Sequence, residues 1–248
     1  MRILVFGSGG REHGLVWRLR QCAGVKHVWC VPGNGGIAEH AECVALPPDG
    51  MKNPAWLAAL GTRLRPDLTL VGPELPLVAG IADEFAGRGL KLVGPSKHAA
   101  QLEGSKAFAK EFLLRNQIPT APLYGIYDSA GDAYSALCAV DWPCVIKADG
   151  LAAGKGVLVA TNPDEATAFI DRLMVAREFG AAGDRVLLEE ALAGQELSYI
   201  VLADGETILP LVPTRDHKRI FDGNRGPNTG GMGEIGRASC RERVCLVV

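Results

Sequence analysis

The sequence predicts an α/β protein: a doubly wound parallel-sheet domain at the N-terminal end, then a second unit that opens with a small α+β lobe. Three observations carry this prediction. Over the first 95 residues, short apolar runs alternate with helix-like stretches, the pattern of parallel strands covered on both faces. A helical stretch then ends at Pro119 and Pro122, which mark a boundary. Beyond it strands predominate, and near residues 196–213 they alternate apolar and polar positions, as an antiparallel sheet with one open face does.

The elements follow in order. Residues 2–7 (RILVFG) form an apolar run that ends in glycine, and similar runs recur at 28–31, 43–46, 68–71 and 90–93; these are buried strands. Between several of them lie residues 11–22, 54–64 and 76–88, with apolar positions three and four apart, which reads as helix. Residues 96–117 continue as helix with Gly104 as an internal break, so a domain over 1–100 leads through a helical connection, 101–122, into the second unit. There, residues 123–127, 143–149, 156–160 and 185–190 read as strands and 129–140 and 163–177 as helices, a small lobe over 123–192. Two longer strands at 196–203 and 207–213 open a larger sheet over 193–233. Residues 234–248 (EIGRASCRERVCLVV) hold three arginines and two of the seven cysteines without a clear period, and are expected to lie outside the native fold.

Composition narrows the function. With 28 acidic and 26 basic residues the net charge is -2, so neither the basic excess of a nucleic-acid binder nor a one-sided membrane-binding stripe is present. The N-terminal apolar run is too short for a signal peptide and no run reaches the length of a membrane span, which places the chain in the cytoplasm. An odd number of cysteines with no C-x-x-C pair reads as thiols in a reducing compartment, without a structural zinc site.

The chemistry concentrates in glycine-rich loops. Gly7-Ser8-Gly9-Gly10-Arg11-Glu12-His13 joins the first strand to a helix; backbone N–H groups and a helix N-terminus suit a phosphate, although tight packing alone explains such a turn equally well. A dinucleotide fingerprint is not met, because Glu12 replaces its third glycine and the second strand ends in Cys30-Val31-Pro32 with no acidic residue. PGNGG at 32–36 and Gly72-Pro73-Glu74 follow other strands, so these three loops converge on one crevice at the strand C-termini. Lys147 interrupts an apolar strand and precedes Asp149-Gly150-Leu151-Ala152-Ala153-Gly154-Lys155-Gly156. This is no P-loop, since the glycine spacing is short and Gly156 stands where a hydroxyl is required. A strand lysine with a mobile lysine loop nevertheless suits polyphosphate; the alternative is a pair of solvated lysines. Glu189 and Glu190 end a strand and point to opposite faces, so one can face the lysines while the other is solvated. Thr214-Arg215-Asp216-His217-Lys218-Arg219 and Gly226-Pro227-Asn228-Thr229-Gly230-Gly231-Met232-Gly233 are the densest polar and glycine-rich segments. Serine-hydrolase and zinc-protease signatures are missing from the sequence.

Taken together, GSGGREH, PGNGG, VGPELPLV, QLEGSKAF, VIKADGLAAGKGV, EEALAGQE, DHKR and GPNTGGMG occur in order across residues 2–233. In this the chain resembles the glycinamide ribonucleotide synthetases, phosphoribosylamine-glycine ligases of the ATP-grasp superfamily. The resemblance implies a pre-ATP-grasp domain followed by an incomplete ATP-grasp module. It implies that Lys106 and Lys147 hold ATP phosphates, that Lys155 lies on the closing loop, that Glu189 to Leu192 form the adenine hinge with Glu190 pointing there, and that Glu196 takes the ribose hydroxyls. Gly9, Gly10, Arg11, Glu12 and Glu74 fall on the phosphoribosylamine side; Asp216, Lys218 and the loop Asn228, Thr229, Gly230 and Gly231 fall in the acyl-phosphate region.

The reaction so implied is ATP-dependent ligation of glycine to 5-phosphoribosylamine through glycyl phosphate, with Mg2+ or Mn2+ as the family's ion. After Gly233 the sequence departs from the family's pattern, and no metal ligand of the family is placed in this chain. The expectation is therefore a binding unit without turnover of its own. The competing readings are another ATP-grasp carboxylate-amine ligase or carboxylase, and a nucleotide-binding module.

Overall fold

The structure, a computed structural model, describes all residues except 153, 195, 218, 224, 230–233 and 237–248. It divides after Gly104 into two compact units.

In the first unit, strands β1 (Arg2–Gly7), β2 (His27–Pro32), β3 (Glu42–Cys43), β4 (Leu68–Val71) and β5 (Leu92–Val93) form one parallel sheet in the order β3-β2-β1-β4-β5. Helices α1 (Gly10–Arg20), α2 (Pro54–Leu64), α3 (Glu74–Ala79), α4 (Ile81–Gly87) and α5 (Gln101–Gly104) connect and flank these strands. Successive side chains of a strand face opposite ways, and β1 divides accordingly. Leu4 and Phe6 pack with Leu57, Ala58, Ile81 and Phe85 on one face, while Ile3 and Val5 pack with Val16, Val28 and Ile37 on the other. Both faces are apolar and both are covered, which is the doubly wound arrangement the alternating runs require.

Two expectations need correction here. The helix expected over 76–88 is two helices, α3 and α4, because Gly80 sits between them with φ +103, a conformation that ends a helix. The strands expected at 43–46 and 90–93 shrink to two residues each, β3 and β5. These are the sheet's two edges, where neighbours on one side only leave short ladders.

In the second unit α6 (Lys106–Arg115) begins at Ser105, whose hydroxyl accepts the Phe108 N–H at 3.0 Å, a standard N-cap. It is followed by β6 (Leu123–Tyr127), α7 (Ala130–Ala136), β7 (Cys144–Ala148), β8 (Val157–Ala160), α8 (Pro163–Ile170), which runs into a π turn at Asp171–Val175, and β9 (Val186–Glu190). The four strands form an antiparallel sheet in the order β6-β9-β7-β8. Ile146, Ala148, Val186 and Leu188 pack on Ala133, Phe169, Ile170 and Leu173, so one face of this sheet lies under α7 and α8.

Beyond it come β10 (Val201–Ala203), β11 (Ile208–Pro210), β12 (Thr214–Asp216), β13 (Arg219–Phe221), β14 (Arg225–Asn228) and β15 (Glu234–Gly236). They pair as β10-β11, β12-β15 and β13-β14. The long half-covered strands expected at 196–203 and 207–213 are thus replaced by three-residue strands, exposed at every position of β10 and β11. The expected native boundary at 234 falls at β15, which pairs with β12; residues 237–248 lie outside the described residues. Among the described residues no helix is long and apolar enough to cross a membrane.

Candidate functional site

In the first unit the sheet order reverses direction at β1 and β4, and the loops that leave these strands open one crevice. Hydrogen bonds tie the three predicted loops together. Gly33 N–H donates to the Gly7 carbonyl at 3.1 Å, Asn34 Nδ2 to the Ser8 carbonyl at 2.7 Å and Gly72 N–H to the Phe6 carbonyl at 2.9 Å. Gly9 and Gly10 are exposed at the start of α1. Arg11 reaches across to Glu74, its guanidinium nitrogens 3.4 Å from Oε1, and both side chains remain substantially open to solvent.

Glu12 occupies a different position from its neighbours. It is 4% exposed; Oε2 accepts the Gly9 N–H at 2.7 Å and Oε1 the Arg11 Nε–H at 3.1 Å. Its carboxylate lies against two glycines, so that a Cβ at Gly72 would come within 2.1 Å of Oε1 and one at Gly7 within 2.4 Å of Cγ. Glu12 therefore locks the β1–α1 loop to the β4–α3 loop from within, while Arg11 and Glu74 line the opening.

The second unit gathers lysines. Residues directly paired across β7 and β9 share a face: Val145 pairs with Glu189 and Lys147 with Leu187. Lys147 and Glu189 are therefore diagonal neighbours on the face opposite the α7–α8 core. Lys147 Nζ donates to Glu189 Oε2 at 2.8 Å, and the other oxygen, Oε1, lies 3.2 Å from Nζ of Lys110. Glu189 is 3% exposed, whereas the Lys147 side chain is 23% exposed. Among the described residues Glu189 is the one hydrogen-bond partner of Lys147, which leaves two ammonium N–H donors for a ligand. Lys110 is buried, and burial holds its ammonium below the usual lysine range against the pull of Glu189.

Lys106 lies at the loop that leaves β7. Its ammonium donates to the Gly150 carbonyl at 3.0 Å, and its N–H to the Asp149 carbonyl at 3.0 Å. Asp149 Oδ1 in turn accepts from Ser105 Oγ and the Ala107 N–H, each at 2.8 Å. The start of α6 and the end of β7 are thereby one assembly, with Lys106 and Lys147 on its two parts. Lys155 is exposed on the same loop, two residues after Ala153, which lies outside the described residues. A Cβ at Gly154 would lie 3.9 Å from the Thr229 carbonyl oxygen, so the two glycine-rich segments meet.

Glu190, Leu192 and Glu196 are exposed, and Asp216 is half-buried in β12. Asn228 ends β14. Lys218, Gly230 and Gly231 lie outside the described residues. Two functional groups escaped the sequence reading, Lys110 and the anchoring carboxylate of Asp149. Lys110 did leave a signal: in KAFAKEFLLR it falls three residues after Ala107 and three before Leu113, at a position on the buried stripe of α6. Among the described residues no group of three His, Cys, Asp or Glu side chains is placed to hold a metal ion.

Comparison with known proteins decides the family. The N-domain model of phosphoribosylglycinamide synthetase matches residues 1–103, and the model of its ATP-grasp (A) domain matches residues 104–245. The chain belongs to the phosphoribosylglycinamide synthetase family. It is 50% identical over 235 residues to a phosphoribosylamine-glycine ligase of Pseudomonas aeruginosa, covering 94% of this chain and 54% of that protein. To the ligase of Clostridium acetobutylicum it is 44% identical over 245 residues, covering 98% and 58%. The chain thus spans about half the length of these relatives. A phosphoribosylamine-glycine ligase from Thermotoga maritima superposes with a TM-score of 0.76 at 31% identity, over 96% of this chain and 56% of that one. A biotin carboxylase from Campylobacter jejuni superposes at 0.69 with 19% identity, over 88% and 52%, which shows a shared fold. The N-domain and ATP-grasp (A) domain matches, with the superposition on the Thermotoga ligase, bear out the α/β fold class expected from the sequence.

Proposed function

We propose that this chain carries the nucleotide-binding lysines and the phosphoribosylamine-binding loops of a phosphoribosylamine-glycine ligase. The observation that carries the reading is Lys147, whose ammonium is fixed by a buried carboxylate and keeps two donors open. In the proposed reaction a carboxylate oxygen of glycine attacks the γ-phosphorus of ATP and ADP leaves, giving glycyl phosphate. The amine of 5-phosphoribosylamine then attacks the acyl carbon, inorganic phosphate departs, the amine loses a proton and an amide bond forms.

Such chemistry asks a protein for position and charge neutralisation more than for a nucleophile. Lys147 and Lys106 would hold phosphate oxygens, and the loop at 149–156 would close over them and keep water from the acyl phosphate. Glu190, Leu192 and Glu196 are assigned to the adenine and ribose, Asp216, Lys218, Asn228, Thr229, Gly230 and Gly231 to the acyl-phosphate region. Gly9, Gly10, Arg11 and Glu74 would receive the sugar phosphate, the Gly10 and Arg11 N–H groups at the start of α1 donating to the anion and Glu12, which accepts the Gly9 N–H, holding the loop behind them. ATP would come from the cytoplasm. Among the described residues no group of three His, Cys, Asp or Glu side chains is placed to hold Mg2+ or Mn2+.

Calorimetry with ATP tests this reading. Lys147→Ala is expected to weaken ATP binding tenfold or more, and equal affinity in the variant overturns the assignment.

A further inference from the structure

We infer that Lys110 is a positioning residue of the nucleotide site: its buried positive charge shares Glu189 with Lys147 and so leaves the Lys147 ammonium attractive to phosphate. This rests on the proposed nucleotide reading of Lys147.

Lys110 cannot itself reach a ligand. Its Nζ donates to Thr120 Oγ1 and to the Ala121 carbonyl, each at 2.8 Å, and lies 3.2 Å from Glu189 Oε1. An ammonium has three N–H donors, and these three acceptors use them all within a side chain that is 5% exposed. Glu189 is equally enclosed, with one oxygen on each lysine.

Charge counting then gives Lys110 its role. Lys110, Glu189 and Lys147 together carry one net positive charge. Without Lys110, a single carboxylate 2.8 Å from Lys147 would cancel that lysine's field and draw its ammonium wholly into the ion pair. Buried ion pairs cost desolvation and contribute little net stability, so packing alone gives no reason for a lysine at this core position of α6. Supplying a net charge to the open face of β7 does.

The test measures ATP and adenosine affinities of the 248-residue chain by calorimetry, with wild type, Lys110→Gln, Lys110→Arg and Lys147→Ala side by side. Glutamine keeps a donor for Thr120 or Ala121 and removes the charge. We expect Lys110→Gln to weaken ATP tenfold or more, tenfold being the scale of one charge acting from as far as about 12 Å through an effective dielectric of about 20. Adenosine, which has no phosphate, is expected to change less than about twofold, and Lys110→Arg to restore ATP binding. A general loosening of the fold would weaken both ligands together, and that result overturns the inference. Loss of ATP affinity in Lys147→Ala with none in Lys110→Gln rejects the role of Lys110 and spares the nucleotide reading; a wild-type chain that does not bind ATP rejects both.

Should Lys110→Gln fail to fold, competitive acetylation of wild type decides. Lys110 is expected to stay unreactive with and without ATP, while Lys147 reacts and is protected by ATP. A Lys110 that reacts and is then protected by ATP would be a direct ligand, which refutes the positioning role.

Discussion

Gly72→Ala is the most direct test of how the first unit's loops are held. The backbone at Gly72 lies outside the left-handed region, so alanine brings no conformational strain, and the whole effect comes from where its methyl lands. That methyl would lie 2.1 Å from Glu12 Oε1 and 2.5 Å from its Cγ and Cδ, far inside contact distance. Glu12 must move, and in moving it releases the Gly9 N–H now bonded at 2.7 Å. Overpacking of this kind costs about 1–3 kcal/mol, and losing a hydrogen bond to a charged group about 1.5–3 kcal/mol. A total near 3 kcal/mol is therefore expected in urea denaturation. In a Glu12→Ala background the methyl has room, and the same substitution should cost less than about 0.5 kcal/mol, as do changes away from tight contacts. The double-mutant cycle thus predicts a coupling of about 2.5 kcal/mol or more. Additive losses, with Gly72→Ala equally harmful in both backgrounds, would refute the account of Glu12 as the lock between the two loops.

Two further outcomes follow from the structure. Burial, helped by the nearby Cys43 thiol, pushes the Cys30 thiol up from 9.0 to about 12. A raised thiol pKa contributes stability that is complete below the unfolded value and is lost as pH rises through the folded one, so the window runs from about pH 9 to 12. Wild type should lose about 2 kcal/mol more than Cys30→Ala between pH 8 and 10.5, and parallel pH profiles for the two proteins in denaturation would contradict this. Separately, Ile200, Leu202, Ile208, Leu209 and Phe221 are all more than half exposed, and exposed apolar surface of this kind binds hydrophobic dyes. Anilinonaphthalene sulfonate should fluoresce with the chain, and Ile208→Lys with Leu209→Lys should reduce the signal without lowering Tm; an unchanged signal would place the dye elsewhere.

How much of the fold could be read from the sequence depended on what decides each element. β1 at Arg2–Gly7, α2 at Pro54–Leu64 and β6 at Leu123–Tyr127 have the bounds expected of them, because local signals agree there: an apolar run stopped by glycine, and a helix whose N-cap Asn53 and N1 proline fix its start. The break at Gly80 was less visible, since apolar spacing continues through it and only the backbone reveals a left-handed residue. Residues 196–213 misled for another reason. Alternation of apolar and polar residues reports the surface a strand would have if something covered one face, and β10 and β11 are exposed on both.

The sites divide along the same line. Glycine turns at strand ends and a lysine inside an apolar strand are local irregularities, and the sequence displayed Gly9, Glu74 and Lys147 for that reason. What the sequence could not display is which carboxylate serves which role. Glu12 and Glu74 stand in similar glycine-rich loops, yet one is buried as a brace and the other lines the opening. Glu189 and Glu190 are adjacent, and strand geometry required them to part, but only the α6 packing determines that Glu189 is the one enclosed between two lysines. The deciding partner in that case is Lys110, 79 residues upstream by the numbering, and a lysine on the buried stripe of a helix is the sign that such a partner exists. A cation is not left in a core without an anion to meet it, so an apolar period interrupted by Lys110 and a strand interrupted by Lys147 together call for a shared carboxylate, and Glu189 is that carboxylate.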